Sequence, residues 1–207
     1  MTPFADLSNG SHLLGYTVEE LSDQIAARTP APGGGAVAAV TVAFAAGLVA
    51  MAARYSERRI QDWQEVAEQA DKARRRVLRL GDRDAAAYRA VLDAYTLPAE
   101  NDAGRRQHQI RTALREATDV PLEIAEIGAE VARLGARMRE SGNPNLTGDA
   151  ITATLLAEAA VHSAASLVRI NADLGQLDDD LVVRADRCAA EASAVAGVPR
   201  TAAYGRS

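Results

Sequence analysis

The sequence has few cysteines, few aromatic residues and no excess of positive charge. Its 207 residues include one cysteine, Cys188, and only 4% aromatic residues. A lone cysteine excludes a disulfide framework and a cysteine-based zinc site. The formal net charge of −5 excludes a general nucleic-acid binder, because no basic excess exists to release phosphate counterions. The sequence therefore predicts no nucleic-acid partner and a reducing, cytoplasmic setting.

Strand signals are also missing, because no segment alternates apolar and polar residues with period two. Instead the chain contains 45 alanines, and alanine favours helices while contributing little to a sheet face. We expect a single all-α bundle of five to six long helices over 1–207, with flexible termini at 1–16 and 198–207. Because small side chains bury little area each, a homodimer is also expected.

Apolar periodicity, caps and prolines divide the chain into segments. Helices are predicted at about 18–28, 35–55, 61–96, 102–119, onward to 140, 147–174 and 178–196. Pro121 either kinks the fourth helix or opens the next piece. The stretch from Ala36 to Ala53 has the length of a membrane span. Since about half of it is alanine and Arg54 closes it, we interpret it as a buried central helix and expect no membrane partner.

Three glycines, Gly33, Gly34 and Gly35, stand where this apolar helix begins. Uncovered backbone N–H groups at a helix N-terminus suit a carboxylate, phosphate or amide oxygen of a ligand. The segment is not a P-loop, because no Lys-Ser/Thr pair follows it and no strand precedes it. A flexible entry loop or close helix packing is the alternative interpretation.

Asp84 lies in the middle of a long helix and shares one face with Tyr88 and Tyr95. A carboxyl group on such a face is partly desolvated, which raises its pKa and suits proton transfer. Asp84 is therefore the candidate acid/base group. The alternative is a solvated carboxylate paired with a neighbouring arginine such as Arg83.

Two further groups are candidates for ligand binding. Asn143 and Asp149 occupy a loop and the helix start after it, where they serve either a ligand or only the turn and cap. Arg58 and Arg59 follow the apolar helix, where they either reach a bound anion or are simply solvated. The three histidines show no metal-ligand spacing, so no metal site is predicted.

Several segments, taken in order, resemble one family. They are Pro30 to Ala39, Arg58-Arg59, Asp84 to Tyr88, Leu97-Pro98, Arg106, Val120 to Leu122, Gly142-Asn143, Asp149 and Val168 to Asn171. This pattern is similar to the cyclodeaminase/cyclohydrolase family, which includes formiminotetrahydrofolate cyclodeaminase and bacterial methenyltetrahydrofolate cyclohydrolase. The resemblance covers about residues 18 to 195.

The resemblance implies an all-α homodimer that binds a folate-type small molecule in a groove between long helices. It implies no metal and no cofactor beyond the tetrahydrofolate derivative as substrate. The implied roles are acid/base catalysis by Asp84, backbone contacts from Gly33, Gly34 and Gly35, contacts to the pterin or one-carbon unit from Asn143 and Asp149, and pairing with the glutamate tail by Arg58 and Arg59.

The resemblance leaves the reaction open between several functions. A chain without a fused formiminotransferase domain favours hydrolysis of 5,10-methenyltetrahydrofolate to 10-formyltetrahydrofolate. The alternatives are formiminotetrahydrofolate cyclodeaminase, a relative acting on another amidine-like substrate, and a non-catalytic folate-binding or scaffold dimer. Gly148 stands where the family usually has serine, and Leu167 stands where asparagine is expected. These two departures favour the non-catalytic dimer. Asp84, Asn143 and Asp149 are retained and favour an enzyme.

Overall fold

The chain is an all-α bundle, as the sequence predicts. A computed structural model describes residues 12–98 and 103–197, so residues 1–11 of the predicted terminus 1–16, and all of the predicted terminus 198–207, lie outside the described residues. The helices are α1 Val18–Ala26, α2 Gly34–Arg54, α3 Trp63–Thr96, α4 Ala103–Ser141, α5 Thr147–Gly175 and α6 Asp179–Ala196. Most observed bounds lie within about two residues of the predicted ones.

Helix α2 is the central helix of the bundle and packs against α3, α4 and α5. Alanines provide most of its buried surface, together with Val42 and Val49, which are fully buried. Length and apolar composition alone would let α2 and the segment Pro144–Gly175 cross a membrane, but the core helix of a soluble protein has the same properties. The prediction of a buried central helix is confirmed.

Two glycines of α4 allow α5 to approach closely. A Cβ atom at Gly128 would lie 2.6 Å from Val161 Cγ2, and one at Gly135 would lie 2.6 Å from Thr154 Oγ1. Any larger residue would therefore force the contacted side chain of α5, or the helix itself, to shift. Small residues in this bundle bring helices together and fix their separation.

Helix α4 continues through Pro121 without interruption. Proline has no N–H, so the Ala117 carbonyl oxygen loses the intrahelical bond that residue 121 would normally donate. The side-chain Nδ2 of Asn171, on α5, donates to this oxygen at 2.6 Å. The sequence left open whether Pro121 kinks the fourth helix or begins a new one. The helix continues through the proline, and Asn171 of α5 supplies the hydrogen bond that the proline cannot.

The segment before α1 is docked on α3. Leu13–Gly15 forms a short 3-10 turn, in which the Leu13 N–H donates to Asp82 Oδ1 at 2.6 Å. The Leu13 side chain lies over Gly81, where a Cβ atom would come within 2.8 Å of it. Residues 12–16, which the sequence assigns to a flexible terminus, are thus held by a buried leucine and a hydrogen bond.

Candidate functional site

A cavity of about 460 Å³ opens at the N-terminal end of α2. Its walls come from the loop before α2, the middle of α3, one residue of α4 and the C-terminal half of α5. The lining residues are Pro30, Ala31, Gly33, Gly34, Gly35, Asp84, Tyr88, Ala117, Leu167, Ile170, Asn171 and Leu174. The cavity therefore joins two of the predicted groups, the glycines and Asp84.

The Asp84 carboxylate lies directly against the backbone of Gly35. A Cβ atom at position 35 would overlap the Asp84 carboxyl oxygens, so only glycine allows this approach. The backbone N–H of Ala36 donates a hydrogen bond to the same carboxylate. This arrangement requires glycine at position 35 and fixes the acid at the start of α2.

Burial raises the pKa of Asp84 to about 6, and the hydrogen bond from the Ala36 N–H partly offsets this rise. The cause is desolvation, which penalises the charged form. A carboxyl group with this pKa populates both protonation states near neutral pH. It can therefore accept a proton and return it within one catalytic cycle.

The other two glycines have more space than Gly35. A Cβ atom at Gly33 would meet nothing within 4 Å, and one at Gly34 would lie 3.9 Å from Leu167 Cδ1. Among the described residues, no backbone acceptor takes the N–H groups of Gly34 and Gly35. These two N–H groups at a helix N-terminus are suited to a ligand oxygen.

Sequence reasoning assigned no site role to several lining residues, and most of these are apolar. Leu167, Ile170 and Leu174 recur at helical spacing on α5 and form one wall, while Tyr88 stands one turn after Asp84. The periodicity of α5 could have indicated this wall, but not which helix it faces. Leu167 gives the wall an apolar side chain where the family pattern would place an amide.

Asn143 lies at the opposite end of α2, where it holds the loop through three hydrogen bonds. Its backbone N–H donates to Ser56 Oγ at 2.9 Å, and its Nδ2 donates to the Tyr55 carbonyl at 3.0 Å. Its Oδ1 accepts from the Asn145 N–H at 3.1 Å. The architectural interpretation of this asparagine therefore has direct support.

The remaining predicted residues are near Asn143 and not near the cavity. Arg58 and Arg59 are exposed just past α2, and Asp149 is half-buried in the first turn of α5. Since α2 has 21 residues, its two ends are about 31 Å apart at 1.5 Å per residue. Within one chain α2 therefore separates these residues from Asp84 and the three glycines, so one copy alone does not bring all the predicted site residues into one groove.

No metal-binding cluster is evident in the part of the chain that the structure describes: residues 12–98 and 103–197 bring together no three His, Cys, Asp or Glu side chains that could hold an ion. Cys188 is buried on α6. The polar chemistry of the cavity is therefore that of Asp84, Tyr88, Asn171 and the backbone.

Comparison with known proteins places this geometry in a family. The formiminotransferase-cyclodeaminase family model matches residues 17–192. Methenyltetrahydrofolate cyclohydrolase of Methylorubrum extorquens is 37% identical over 165 residues, which is 75% of this chain and 79% of that protein. Formimidoyltransferase-cyclodeaminase of Rattus norvegicus is 30% identical over 182 residues, which is 82% of this chain but only 32% of that longer protein.

The fold is similar to that of a solved structure as well. The crystal structure of formiminotetrahydrofolate cyclodeaminase from Thermotoga maritima superposes with a TM-score of 0.79 at 25% identity, covering 89% of this chain and 93% of the other. These matches confirm the resemblance that the ordered motifs indicate. The chain belongs to the formiminotransferase-cyclodeaminase family.

Proposed function

We propose that this protein is a methenyltetrahydrofolate cyclohydrolase that acts in cytoplasmic one-carbon metabolism. The Methylorubrum extorquens relative of that name aligns over most of both chains, which supports this reaction over others in the family. The observation that carries the proposal is the position of Asp84, a desolvated carboxyl group held against Gly35 in the wall of a cavity.

Asp84 can supply both proton transfers of the hydrolysis. The methenyl carbon between N5 and N10 is an amidinium centre, and water adds to it while the Asp84 carboxylate takes one proton of that water. The bond from this carbon to N5 then breaks, and N5 receives a proton from the carboxyl group. The second proton of the water leaves to solvent, and the product is 10-formyltetrahydrofolate.

The cavity walls fit a flat heteroaromatic ligand. The apolar α5 wall of Leu167, Ile170 and Leu174 offers a surface for a ring, and Tyr88 adds an aromatic side chain. The N–H groups of Gly34 and Gly35 are placed for a ligand oxygen. The proposed hydrolysis needs water and one acid/base group, so we propose no metal and no further cofactor.

The decay of methenyltetrahydrofolate absorbance tests this proposal directly. Wild type should accelerate the decay, and Asp84→Asn should lower kcat by at least about 10²-fold, because it removes the group that transfers protons. Asp93→Asn, which neutralises another carboxyl group of α3 outside the cavity, is the matched control. Equal rates for wild type and Asp84→Asn would remove Asp84 as the acid/base group.

Formiminotetrahydrofolate cyclodeaminase is the second candidate reaction, because the Thermotoga maritima structure carries that name. It also needs proton transfers as N10 attacks and ammonia leaves, so Asp84 could serve it equally. Ammonia release from 5-formiminotetrahydrofolate separates the two reactions. A protein that turns over neither substrate would instead be a relative with another amidine-like substrate or a non-catalytic folate-binding dimer.

The same site leads us to propose a homodimer. Large apolar side chains are exposed on neighbouring faces of α2 and α5, including Phe44 at 57% and Leu174 at 59% exposure. A two-fold interface through this face would cover it and set two copies of α2 antiparallel. Arg58 and Arg59 of the second copy would then approach the Asp84 cavity, where they are placed to pair with a glutamate tail.

Phe44→Asp tests this interface, because a buried charge at its centre is costly. We expect wild type to be a dimer by light scattering, Phe44→Asp to be a monomer, and the matched control Val183→Asp, exposed on α6, to stay a dimer. A monomeric wild type, or a Phe44→Asp variant that stays dimeric, would contradict the proposed interface.

A further inference from the structure

The hydrogen bond between Asn171 and the Ala117 carbonyl connects a proline to the wall of the cavity. Pro121 cannot donate to Ala117, so this carbonyl oxygen depends on the side chain of Asn171, at 2.6 Å. Ala117 and Asn171 both line the cavity. The proline therefore acts on the cavity although it is not one of its lining residues.

This contact also determines which way the Asn171 amide faces. The two ends of an asparagine amide look alike in shape, but a carbonyl oxygen is only an acceptor, so the group facing it must be the NH₂. Oδ1 is then directed away from Ala117. Within the described residues, Oδ1 accepts no hydrogen bond from another side chain, whereas Nδ2 is engaged.

We propose that Asn171 is a specificity-determining residue whose Oδ1 accepts a hydrogen bond from a ring N–H of the ligand, and that Pro121 is the positioning residue that orients it. The ligand is then a flat heterocycle with a ring N–H donor, such as the lactam N–H of a pterin. This inference rests on the proposed function for the identity of the ligand. The orientation of the amide rests on the structure alone.

A preoriented acceptor contributes more to recognition than a free one. An amide that rotates freely must lose rotamer entropy on binding and can present the wrong group to the donor. Holding Nδ2 on the Ala117 carbonyl removes both costs before the ligand arrives. A site built around a hydrogen bond also rejects analogues that lack the donor, because its polar group is then left unpaired.

Pro121→Ala separates this orienting role from simple stabilisation. Alanine at position 121 supplies the missing N–H, which competes for the Ala117 carbonyl and releases the Asn171 amide. Because the helix regains its own hydrogen bond, Tm should stay the same or rise. We expect KM for methenyltetrahydrofolate to rise about 5- to 10-fold with kcat changed less than about 3-fold.

Asn171→Leu and the double variant complete the test. Asn171→Leu should lower Tm and raise KM by at least as much as Pro121→Ala, and adding Pro121→Ala to it should raise KM no further, because the proline acts only through the amide. Asp173→Asn, two residues along α5 and outside the cavity lining, is the control. An unchanged KM in Pro121→Ala, or an Asn171→Leu variant with lower Tm and unchanged KM, would overturn the proposal.

Calorimetric binding of tetrahydrofolate keeps this inference distinct from the proposed reaction. If wild type binds tetrahydrofolate without turning over the methenyl form, and Pro121→Ala weakens that binding, the orienting role stands and the proposed reaction fails. If wild type is active and both variants keep wild-type affinity, the orienting role fails alone. A wild type that binds no folate overturns both.

Discussion

The polar side chains at the two ends of α2 differ in the number of hydrogen bonds that they make. At the Gly34 end, the Asp84 carboxylate is desolvated and receives one backbone hydrogen bond, from Ala36. At the Arg54 end, the backbone N–H, Nδ2 and Oδ1 of Asn143 all have partners within the chain. Both groups belong to the family pattern, but only the first lies in the wall of the cavity.

The difference shows that motif residues of one family can have different physical roles. A carboxyl group with a raised pKa costs the fold stability and gains reactivity. An asparagine whose backbone N–H, Nδ2 and Oδ1 each bond to the chain adds stability by holding the loop. Substitutions at the Gly34 end should therefore affect catalysis first, and substitutions at the Arg54 end should affect folding or ligand affinity first.

The largest expected effect is at the Gly34 end, for Gly35→Ala. A Cβ atom there overlaps the Asp84 carboxyl group, so the acid must move or α2 and α3 must separate. We expect kcat/KM for methenyltetrahydrofolate to fall by about 10² or more, because small displacements of a positioned group have effects of this size. Steady-state absorbance assays measure this change.

Gly34→Ala is the matched control for that substitution. Its Cβ atom would lie 3.9 Å from Leu167 Cδ1, an ordinary contact, so the expected change in kcat/KM is less than about threefold. Equal losses for the two variants would show that the whole loop, and not the contact of Asp84 with Gly35, determines activity.

Gly142→Ala sharpens the comparison at the Arg54 end. Its Cβ atom would overlap the Met138 carbonyl oxygen and lie 3.2 Å from Ser56 Oγ, the acceptor of the Asn143 N–H. We expect the free energy of unfolding to fall by about 2 kcal/mol, measured by urea denaturation. Gly148→Ala, with open space around its Cβ position, should not lower the free energy of unfolding and should raise it by at most about 1 kcal/mol, because alanine is the better helix former.

Asp84→Asn should stabilise the fold at neutral pH. Because the pKa of Asp84 in the folded state, about 6, lies above its usual value of 3.8, the native state binds more protons between these values, and wild-type stability falls as pH rises through that window. Asparagine has no charge to desolvate, and its Oδ1 can still accept the hydrogen bond from the Ala36 N–H. We expect a gain of about 1 to 2 kcal/mol at pH 8, absent below pH 4.

Urea unfolding of wild type and Asp84→Asn at a series of pH values measures this difference. A variant that is less stable than wild type at pH 8 would show that the carboxylate contributes a net favourable interaction. The Gly34 end would then resemble the Arg54 end, and the contrast between them would be lost.

The smallest expected effect is for Arg58→Ala combined with Arg59→Ala. In the proposed dimer these arginines meet the glutamate tail, so affinity for a polyglutamylated folate should fall about 5- to 10-fold, and affinity for the monoglutamate by less, since exposed ion pairs contribute little each. Calorimetry with the two ligands measures the ratio. Equal weakening would remove the tail assignment.

The sequence predicts the helices well because their signals are local. Gly33, Pro98 and the capping box at Thr17 mark ends that need no knowledge of other helices. The fate of Pro121 is not local, since it depends on Asn171 some fifty residues later. A sequence pattern contains the proline and the asparagine but not the contact between them.

The sequence predicts only part of the candidate site, because local signals can be seen in it and contacts between helices cannot. The face of α3 indicates a desolvated Asp84, which the structure confirms, because the signal lies within one helix. The sequence does not show that Asp84 and Asn143 lie far apart within one chain, because order along the sequence contains no distance. Only the length and position of α2 place these residues at opposite ends.

The leucine seated over Gly81 has a consequence for the mobility of the cavity wall. Leu13 is held against Gly81, which lies one turn before Asp84 on α3. Pro30 and Ala31, at the other end of the segment that begins at Leu13, line the cavity. The chain between them, which includes α1 with no buried residue, is therefore a loop closed at both ends. Releasing its first end requires lifting Leu13 off Gly81 and breaking the hydrogen bond of its N–H to Asp82, so the amide exchange rate of Leu13 should report the release of this loop from α3.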